Sequence, residues 1–424
     1  QLEKQLKINT RKPTKFTSTC VEASTQAGFK QKDGLNDGEL CGYIGYQMMN
    51  YDGDKRRSSY AAFVHQNTKK NLVVKTDALV HRVVFDGDTR ATAVEFEQNG
   101  IKTLAFVTKE VVLCAGALET PKLLMLSGIG PKQQLQKMGI QVVLDAPQIG
   151  KNLQDHPNVC MFYRGKNSLD CFYPQLYGFD RVNKNLPLPV KQADTCYVFY
   201  SAPASIKQSM KRMLPALMLP PNLFLNQKIK SAIGSLVELM FKIPFTTMFV
   251  EKVYGIVVIL GKPNSRGEVR LASSNPRDQA IIDPAYFKDS QDLKTMIDGV
   301  MKAQIIARQN KFVEWGNTAL SVAGKTQDKE KIKKWIYGAA MTTFHYCGSC
   351  IMGASEDAPV DLQLRLRGTQ NVRVADASVI PEIPVSALNA PSMMIGYRAA
   401  EFILQEYQAS ADNYSAKTAA NAAV

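Results

Sequence analysis

The stretch EVVLCAGALETPKLLMLSGIG (110–130) decides the fold of this chain. A β-branched run leads to Gly116, and Glu119, Thr120 and Pro121 then lead into apolar residues at helical spacing. This pattern predicts a strand, a tight turn and a helix in succession. A buried strand that feeds a helix through a short turn is typical of an α/β domain.

Other segments predict a second domain of a different kind. The chain has 424 residues, which is more than one hydrophobic core usually serves. From about 160 to 235 the composition becomes basic, aromatic and rich in proline, which indicates a domain boundary. VYGIVVIL (253–260) has the pattern of a strand and DLKTMIDGVMKAQIIARQ (292–309) that of a helix, so this part is α+β.

Composition and charge exclude several classes of function. The net charge is +14, but basic and acidic residues are interleaved, which favours a solvated basic surface. No zinc-finger, homeodomain or RNP-like pattern accompanies the charge, so we expect no nucleic-acid partner. Charges and a proline interrupt the apolar region 233–260, so we expect no membrane span.

Only four histidines are present, which shortens the search for an imidazole base. His65 and His81 have the surroundings of structural histidines. His345 lies in TTFHYCGSCIMG (342–353), where small residues allow the backbone to approach a ligand closely. Cys347 and Cys350 form a CxxC, but neither a second CxxC nor a histidine pair completes a zinc set, so we expect no metal.

Motif absences narrow the enzyme classes further. The sequence contains no G-x-S-x-G elbow, no P-loop and no H-E-x-x-H, which argues against common hydrolases, NTPases and zincins. It also contains no G-x-G-x-x-G turn of the kind that holds a dinucleotide pyrophosphate. The chain opens with neither an initiator Met nor an apolar signal region, so the compartment stays open.

Several blocks resemble the glucose-methanol-choline (GMC) oxidoreductases, and they occur in the order of that family. GALETPKLLMLSGIG (116–130) matches the second signature of the family, and IGKNLQDHP (149–157) resembles the block that follows it. The other blocks are SRGEVRLASSNPRDQAIIDPAYF (265–287), HYCGSCIMG (345–353), LRGTQNVRVADASVIP (366–381) and NAPSMMIGYRAA (389–400). The first hundred residues are similar in style to insect members of the glucose dehydrogenase and ecdysone oxidase type.

The resemblance implies a fold of mixed α/β and α+β class with FAD as the cofactor. We expect an incomplete Rossmann-like, GMC-type FAD-binding domain that lacks its N-terminal dinucleotide-binding segment, and a substrate domain built on an antiparallel sheet. The implied organisation is 1–158 for the remainder of the FAD domain, 159–338 for the substrate domain, 339–410 for a segment returning to the FAD domain, and 411–424 for a flexible tail.

The resemblance also implies two catalytic residues. His345 falls on the active-site histidine of the family, which accepts the hydroxyl proton as hydride leaves the alcohol carbon. Asn389 falls on the second catalytic position, where a side-chain amide can hydrogen-bond the substrate oxygen. An alternative role for Asn389 is helix capping. His156, in the NLQDHP block, is expected to be a loop anchor.

Four further positions are implied to bind FAD, together with Asn389. Asp376 and Ala377 match a loop that contacts FAD, and Val80 matches a position whose backbone meets the adenine. Pro391 opens a helix whose N-terminus would face the flavin ring, where negative charge develops on reduction.

The expected reaction is oxidation of an alcohol to an aldehyde or ketone. The sequence leaves open whether the alcohol is a sugar, a steroid or a simple alcohol, and whether oxygen or a quinone accepts the electrons. Two alternatives stand beside the enzyme: an inactive truncated fragment that binds no FAD, and a non-enzymatic binding protein on this scaffold.

Overall fold

A computed structural model describes residues 2–65, 71–171, 173–202 and 227–422, together with Lys207 and Lys211. The strands in chain order are β1 (Ile8–Asn9), β2 (Lys30–Gln31), β3 (Tyr43–Tyr46), β4 (Met49–Asp52), β5 (Lys55–Arg56), β6 (Ala78–Phe85), β7 (Ala91–Gln98), β8 (Ile101–Phe106), β9 (Val111–Leu113), β10 (Ile129–Gly130), β11 (Leu144–Asp145), β12 (Pro157–Arg164), β13 (Leu176–Asp180), β14 (Thr195–Ser201), β15 (Val253–Leu260), β16 (Glu268–Arg270), β17 (Ile281–Asp283), β18 (Thr318–Ala319), β19 (Met341–Thr342) and β20 (Val372–Val374).

The helices lie between runs of these strands. They are α1 (Leu2–Leu6), α2 (Lys15–Gln26), α3 (Gly116–Leu126), α4 (Lys132–Lys137), α5 (Gln227–Met240), α6 (Pro244–Val250), α7 (Ser290–Ala307), α8 (Asn310–Glu314), α9 (Val322–Lys325), α10 (Lys329–Ala339) and α11 (Asn389–Ala422). A π-helical turn covers Tyr60–Val64, and a 3₁₀ turn covers Ala377–Val379.

One sheet of eight strands is formed mainly by the central part of the chain. Its strands run in the order β18-β12-β15-β14-β13-β3-β2, with β19 also paired to β12, and only the β2–β3 pair is parallel. Strands β14 and β15 are buried on both faces, because side chains of a strand alternate between faces and both faces are covered. Along β14, Tyr197 and Phe199 belong to one core, and Cys196 and Val198 belong to a smaller one on the other face.

Different parts of the chain pack on the two faces of this sheet. Helices α2, α7 and α10 supply apolar side chains to the larger core, including Phe16 and Met296, and a buried side chain of this size stabilises by about 1.5–3 kcal/mol. Val385 packs on the opposite face. The segment that leads to Asn389 is therefore held against the sheet.

A second unit of the fold contains residues 110–130. Strands β9 and β20 form a parallel pair, α3 follows β9, and β6, β7 and β8 form an antiparallel meander. Gly116 has φ +87°, a conformation that favours glycine, so the strand can turn sharply into α3. The predicted strand, turn and helix are therefore present, next to the end of β20.

Helix α3 begins earlier than the sequence predicts, and Pro121 lies inside it. An interior proline removes the backbone N–H that would bond to the carbonyl four residues earlier, at a cost of roughly 3 kcal/mol. The hydroxyl of Ser349 donates to that carbonyl, on Ala117, at 2.5 Å and satisfies it. Because Ser349 follows His345 by four residues, the same bond docks the His345 segment on α3.

The two cores divide the chain differently from the predicted boundary at 158. Strand β3 pairs with β13, and Phe16 and Ile44 lie in the core of the large sheet, so residues 15–46 pack with the predicted substrate domain. This packing depends on strand pairing between distant parts of the chain, which local sequence patterns do not reveal. The backbone of α11 is helical to Ala422. That residues 411–424 form a flexible tail stays a prediction.

Candidate active site

His345 and His156 face each other although they lie 189 residues apart in the chain. Their Nδ1 atoms are 2.9 Å apart, and the two rings meet edge to face, with centroids 5.1 Å apart. Both side chains are largely buried. Burial, followed by the neighbouring His345, lowers the pKa of His156 to about 3, so this ring is neutral at physiological pH.

Burial also lowers the pKa of His345 below its ordinary value, although the charge of Asp155 opposes this shift. Asp155 is buried, and one of its carboxylate oxygens accepts a hydrogen bond from the backbone N–H of His345 at 2.8 Å. The other oxygen accepts bonds from the hydroxyl groups of Tyr286 and Thr342. The carboxylate thus fixes the backbone of His345 rather than its ring.

Asp155, Tyr286 and Thr342 were not among the site residues that the sequence predicted. Asp155 adjoins His156 in the NLQDHP block, and this position is the one signal that could have identified it. Tyr286 and Thr342 carry no comparable pattern, since distant parts of the chain bring them to the carboxylate.

The NLQDHP block also holds the segment that precedes Asn389. The side-chain amide of Gln154 donates to the carbonyl of Pro381 at 3.1 Å, and its oxygen accepts from the backbone N–H of Ile383 at 3.1 Å. Asn152 donates to the carbonyl of Gly348 at 3.2 Å. One short block therefore connects the two segments that carry the predicted catalytic residues.

The carbonyl groups of Gly261 and Pro384 raise the pKa of His156 and so oppose part of the lowering that burial causes. Nε2 of His156 is buried and makes no hydrogen bond within the described residues. A proton on Nε2 leaves Nδ1 of the neutral His156 as an acceptor. With that tautomer of His156, Nδ1 of His345 is the donor of the pair and the lone pair of His345 lies on Nε2.

Asn389 is the first residue of α11, so the N-cap position belongs to Leu388 and not to Asn389. The backbone N–H of Ser392 donates to the carbonyl of Leu388 at 3.0 Å, which starts the helix. The first N–H groups of a helix lack intrahelical partners and carry partial positive charge. This helix end is exposed.

Asn389 and Pro391 line a cavity of about 480 Å³. Tyr51, Arg56 and Tyr173 line its other side. The volume lies in the range of ordinary ligand and cofactor sites, roughly 300–1,000 Å³. His345 is outside this lining and is linked to Asn389 through the NLQDHP block.

Asp376 is a structural carboxylate at the end of β20. It accepts hydrogen bonds from the N–H of Gly116 at 2.9 Å, the hydroxyl of Thr120 at 2.6 Å and the N–H of Ser378 at 2.8 Å. The next residue, Ala377, accepts a bond from the N–H of Gly348 at 3.2 Å, near His345. Any contact of Asp376 with a cofactor would therefore come from its backbone.

Val80 lies on β6, apart from the other predicted site residues. The pairing of β6 with β7 shifts between Val80 and Arg82, so His81 occupies an irregular position in the strand. His81 is buried with Glu95 and Glu97 at 3.6 and 3.3 Å from its ring nitrogens. This setting gives His81 a structural role.

The CxxC thiols are buried rather than arranged for binding. Burial raises the pKa of Cys347 to about 12 and raises that of Cys350 as well, so both thiols stay protonated. Among the residues that the structure describes, no group of three or more His, Cys, Asp or Glu side chains is placed to hold a metal ion.

Comparisons with known proteins relate this geometry to a family. Two family models described as GMC oxidoreductase match residues 1–158 and 263–396. Choline oxidase from Arthrobacter globiformis is 30% identical over 401 residues, which cover 90% of this chain and 65% of that enzyme. An alcohol dehydrogenase (acceptor) from Pseudomonas putida is 31% identical over 399 residues, which cover 90% of this chain and 67% of that enzyme.

A solved structure agrees with the fold. Pyridoxine 4-oxidase from Mesorbium loti superposes with a TM-score of 0.77 at 24% identity, over 93% of this chain and 71% of that one. The chain thus spans about two thirds of the length of the curated relatives described above. With both family models and the order of the motifs in agreement, this chain belongs to the GMC oxidoreductase family.

Proposed function

We propose that the whole protein is an FAD-dependent oxidoreductase that oxidises the CH–OH group of an alcohol to an aldehyde or ketone. The observation that carries this proposal is the largely buried His345, whose pKa is lowered by burial and whose Nδ1 lies 2.9 Å from Nδ1 of the neutral His156. Relatives named as choline oxidase and alcohol dehydrogenase support the same chemistry. They do not favour an inactive fragment or a non-enzymatic binding protein.

The described residues fit part of an FAD site. The exposed N-terminus of α11 borders a cavity of suitable volume and suits the anionic side of a reduced flavin. Asn389, Pro391 and the backbones of Asp376, Ala377 and Val80 are the residues we expect to hold the group. When bound, FAD supplies the acceptor for the hydride that leaves the alcohol carbon.

In the proposed reaction, Nε2 of His345 accepts the proton of the substrate hydroxyl, which raises the electron density on the alcohol carbon. The neighbouring His156 holds the proton of His345 on Nδ1, so the basic nitrogen is already exposed when substrate binds. The amide of Asn389 donates to the substrate oxygen as negative charge develops there. Asp155 keeps the backbone of His345 in place.

The names of the relatives make small alcohols and choline the first substrates to test. Sugars and steroids, a quinone as the electron acceptor, and an insect glucose dehydrogenase or ecdysone oxidase type remain predictions to which these relatives add no support. Oxygen is the acceptor to test first, because one relative is named as an oxidase.

The direct test is a spectrum of the full-length protein purified with FAD. Under anaerobic conditions, the flavin absorbance should bleach when a primary alcohol or choline is added, and it should return when oxygen is admitted. Tertiary alcohols, which have no hydrogen on the alcohol carbon, are the matched control and should leave the spectrum unchanged. A folded protein that binds FAD but bleaches with no member of a broad alcohol panel would contradict the proposal.

Substitution of His156 tests its role as a positioning residue. In His156→Leu the acceptor for the Nδ1–H of His345 is lost, and a hydrogen bond worth about 1 kcal/mol no longer sets the tautomer. We expect kcat to fall by roughly 5–10-fold with little change in KM. His156→Asn supplies an acceptor oxygen and should retain more of the activity.

Nitrogen-15 NMR of the histidine rings provides a readout that does not depend on turnover. The wild-type spectrum should show His345 protonated on Nδ1, and the Leu variant should show a mixture of tautomers. Wild-type protein with the His345 proton on Nε2 would disprove the assignment, whatever the kinetics of the variants.

A further inference from the structure

The exposed side of helices α5 and α6 is apolar, which reverses the usual arrangement of a surface helix. Leu239, Phe245 and Met248 are 60%, 76% and 61% exposed. Val237 and Val250 are buried and attach the two helices to the protein. The exposed apolar residues, named here the α5–α6 surface, are Leu236, Leu239, Met240, Ile243, Phe245 and Met248.

Scattered single apolar residues are ordinary on a protein surface, but these six occur within thirteen residues of chain. Within the described parts of the chain, no single helix is long and apolar enough to cross a membrane. The α5 and α6 pair reaches that length and composition together, but the two helices bend by 88°. A bent pair that is attached by buried side chains suits contact with a membrane surface.

The charge around the α5–α6 surface is strongly positive. The described residues between 203 and 252 include six lysines and two acidic side chains, so the positive charges exceed the negative ones by four. Of the two acids, Glu238 forms ion pairs with Lys207 and Lys211. Lys242 is exposed at the bend between the helices.

This combination identifies the chemistry of the partner. Exposed apolar side chains in a segment with an excess of lysines match a lipid surface, in which acyl chains lie beneath anionic headgroups. A second copy of this chain would bring two basic regions of the same sign together, which is unfavourable. Nucleic acid would match the charge but not the six exposed apolar side chains, of which only Phe245 is aromatic and could stack on a base.

We propose that the α5–α6 surface docks the protein peripherally on a membrane that contains anionic lipids. The six apolar side chains enter the boundary between headgroups and acyl chains, a depth of roughly 5–10 Å, and the surrounding lysines contact the headgroups. The helices lie in the plane of the membrane and do not cross it.

Vesicle flotation of the full-length protein tests the proposal. Vesicles of phosphatidylcholine with about one third phosphatidylglycerol should carry the protein, and pure phosphatidylcholine vesicles should carry much less. Phe245→Ser combined with Met248→Ser should weaken binding by more than about tenfold. The control is Phe106→Ser, since Phe106 is 80% exposed on the distant strand β8 and should not matter for lipid binding.

Three outcomes would overturn the proposal. The first is wild-type protein that does not float with the anionic vesicles. The second is equal loss of binding in the Phe106 control, which would mean non-specific adsorption. The third is a dimer by light scattering in the absence of lipid that the double variant converts to a monomer, because the surface would then bind a second copy of the chain.

Discussion

Replacing His345 by alanine in the full-length protein should reduce kcat by about 10²–10⁴-fold, the usual contribution of a general base. Binding of FAD, followed by its visible spectrum, should be retained, because the backbone of His345 is held by Asp155 independently of the ring. The matched control is His65→Ala, since His65 is exposed at the end of a π-helical turn. A loss of less than about tenfold in the His345 variant, with the flavin bound, would remove the proposed base.

The pH dependence of kcat/KM is a second test of His345 as the base. A base must be deprotonated to act, and burial lowers the pKa of His345 below the ordinary histidine value of about 6.5. The wild-type rate should therefore be constant through neutral pH and decline only as the pH falls through that lowered pKa. The alanine variant should lack this decline, and a decline that persists would assign it to another group.

Arg373 should have the largest effect on stability. It is 2% exposed on β20, donates to Glu110 at 2.8 Å and to the carbonyl of Gln363 at 2.9 Å, and also pairs with Glu406. Arg373→Met leaves the largely buried carboxylate of Glu110 without its partner, which should lower the free energy of unfolding by about 3 kcal/mol. Denaturant titration measures this loss.

Two further variants separate the buried ion pair from surface charge. Arg365→Met removes a half-exposed arginine that also approaches Glu406, and it should cost no more than about 1 kcal/mol. Adding Glu110→Gln to Arg373→Met removes the stranded charge and should recover part of the loss. Equal destabilisation by the two arginine variants would contradict the account.

Local patterns were sufficient to predict several elements. The strand before Gly116 and the strand at 253–260 occur as predicted, and the helix predicted over 292–309 occurs as Ser290–Ala307. The start of α3 was misplaced, because Pro121 is tolerated inside the helix through a hydroxyl from Ser349, a partner more than two hundred residues away. Such compensation leaves no mark on the nearby sequence.

By itself, the sequence determined the order of the GMC motifs, the candidate base His345 and the absence of a G-x-G-x-x-G turn between residues 1 and 424. Only the tertiary structure decided that His156 pairs with the ring of His345, that Asp155 fixes the backbone of His345 and that residues 15–46 pack with the large sheet. Each of these contacts joins distant parts of the chain, and burial then shifts the pKa values of groups whose identity alone gives ordinary ones. Periodicity records which residues share a local face, but it does not record which distant residues meet.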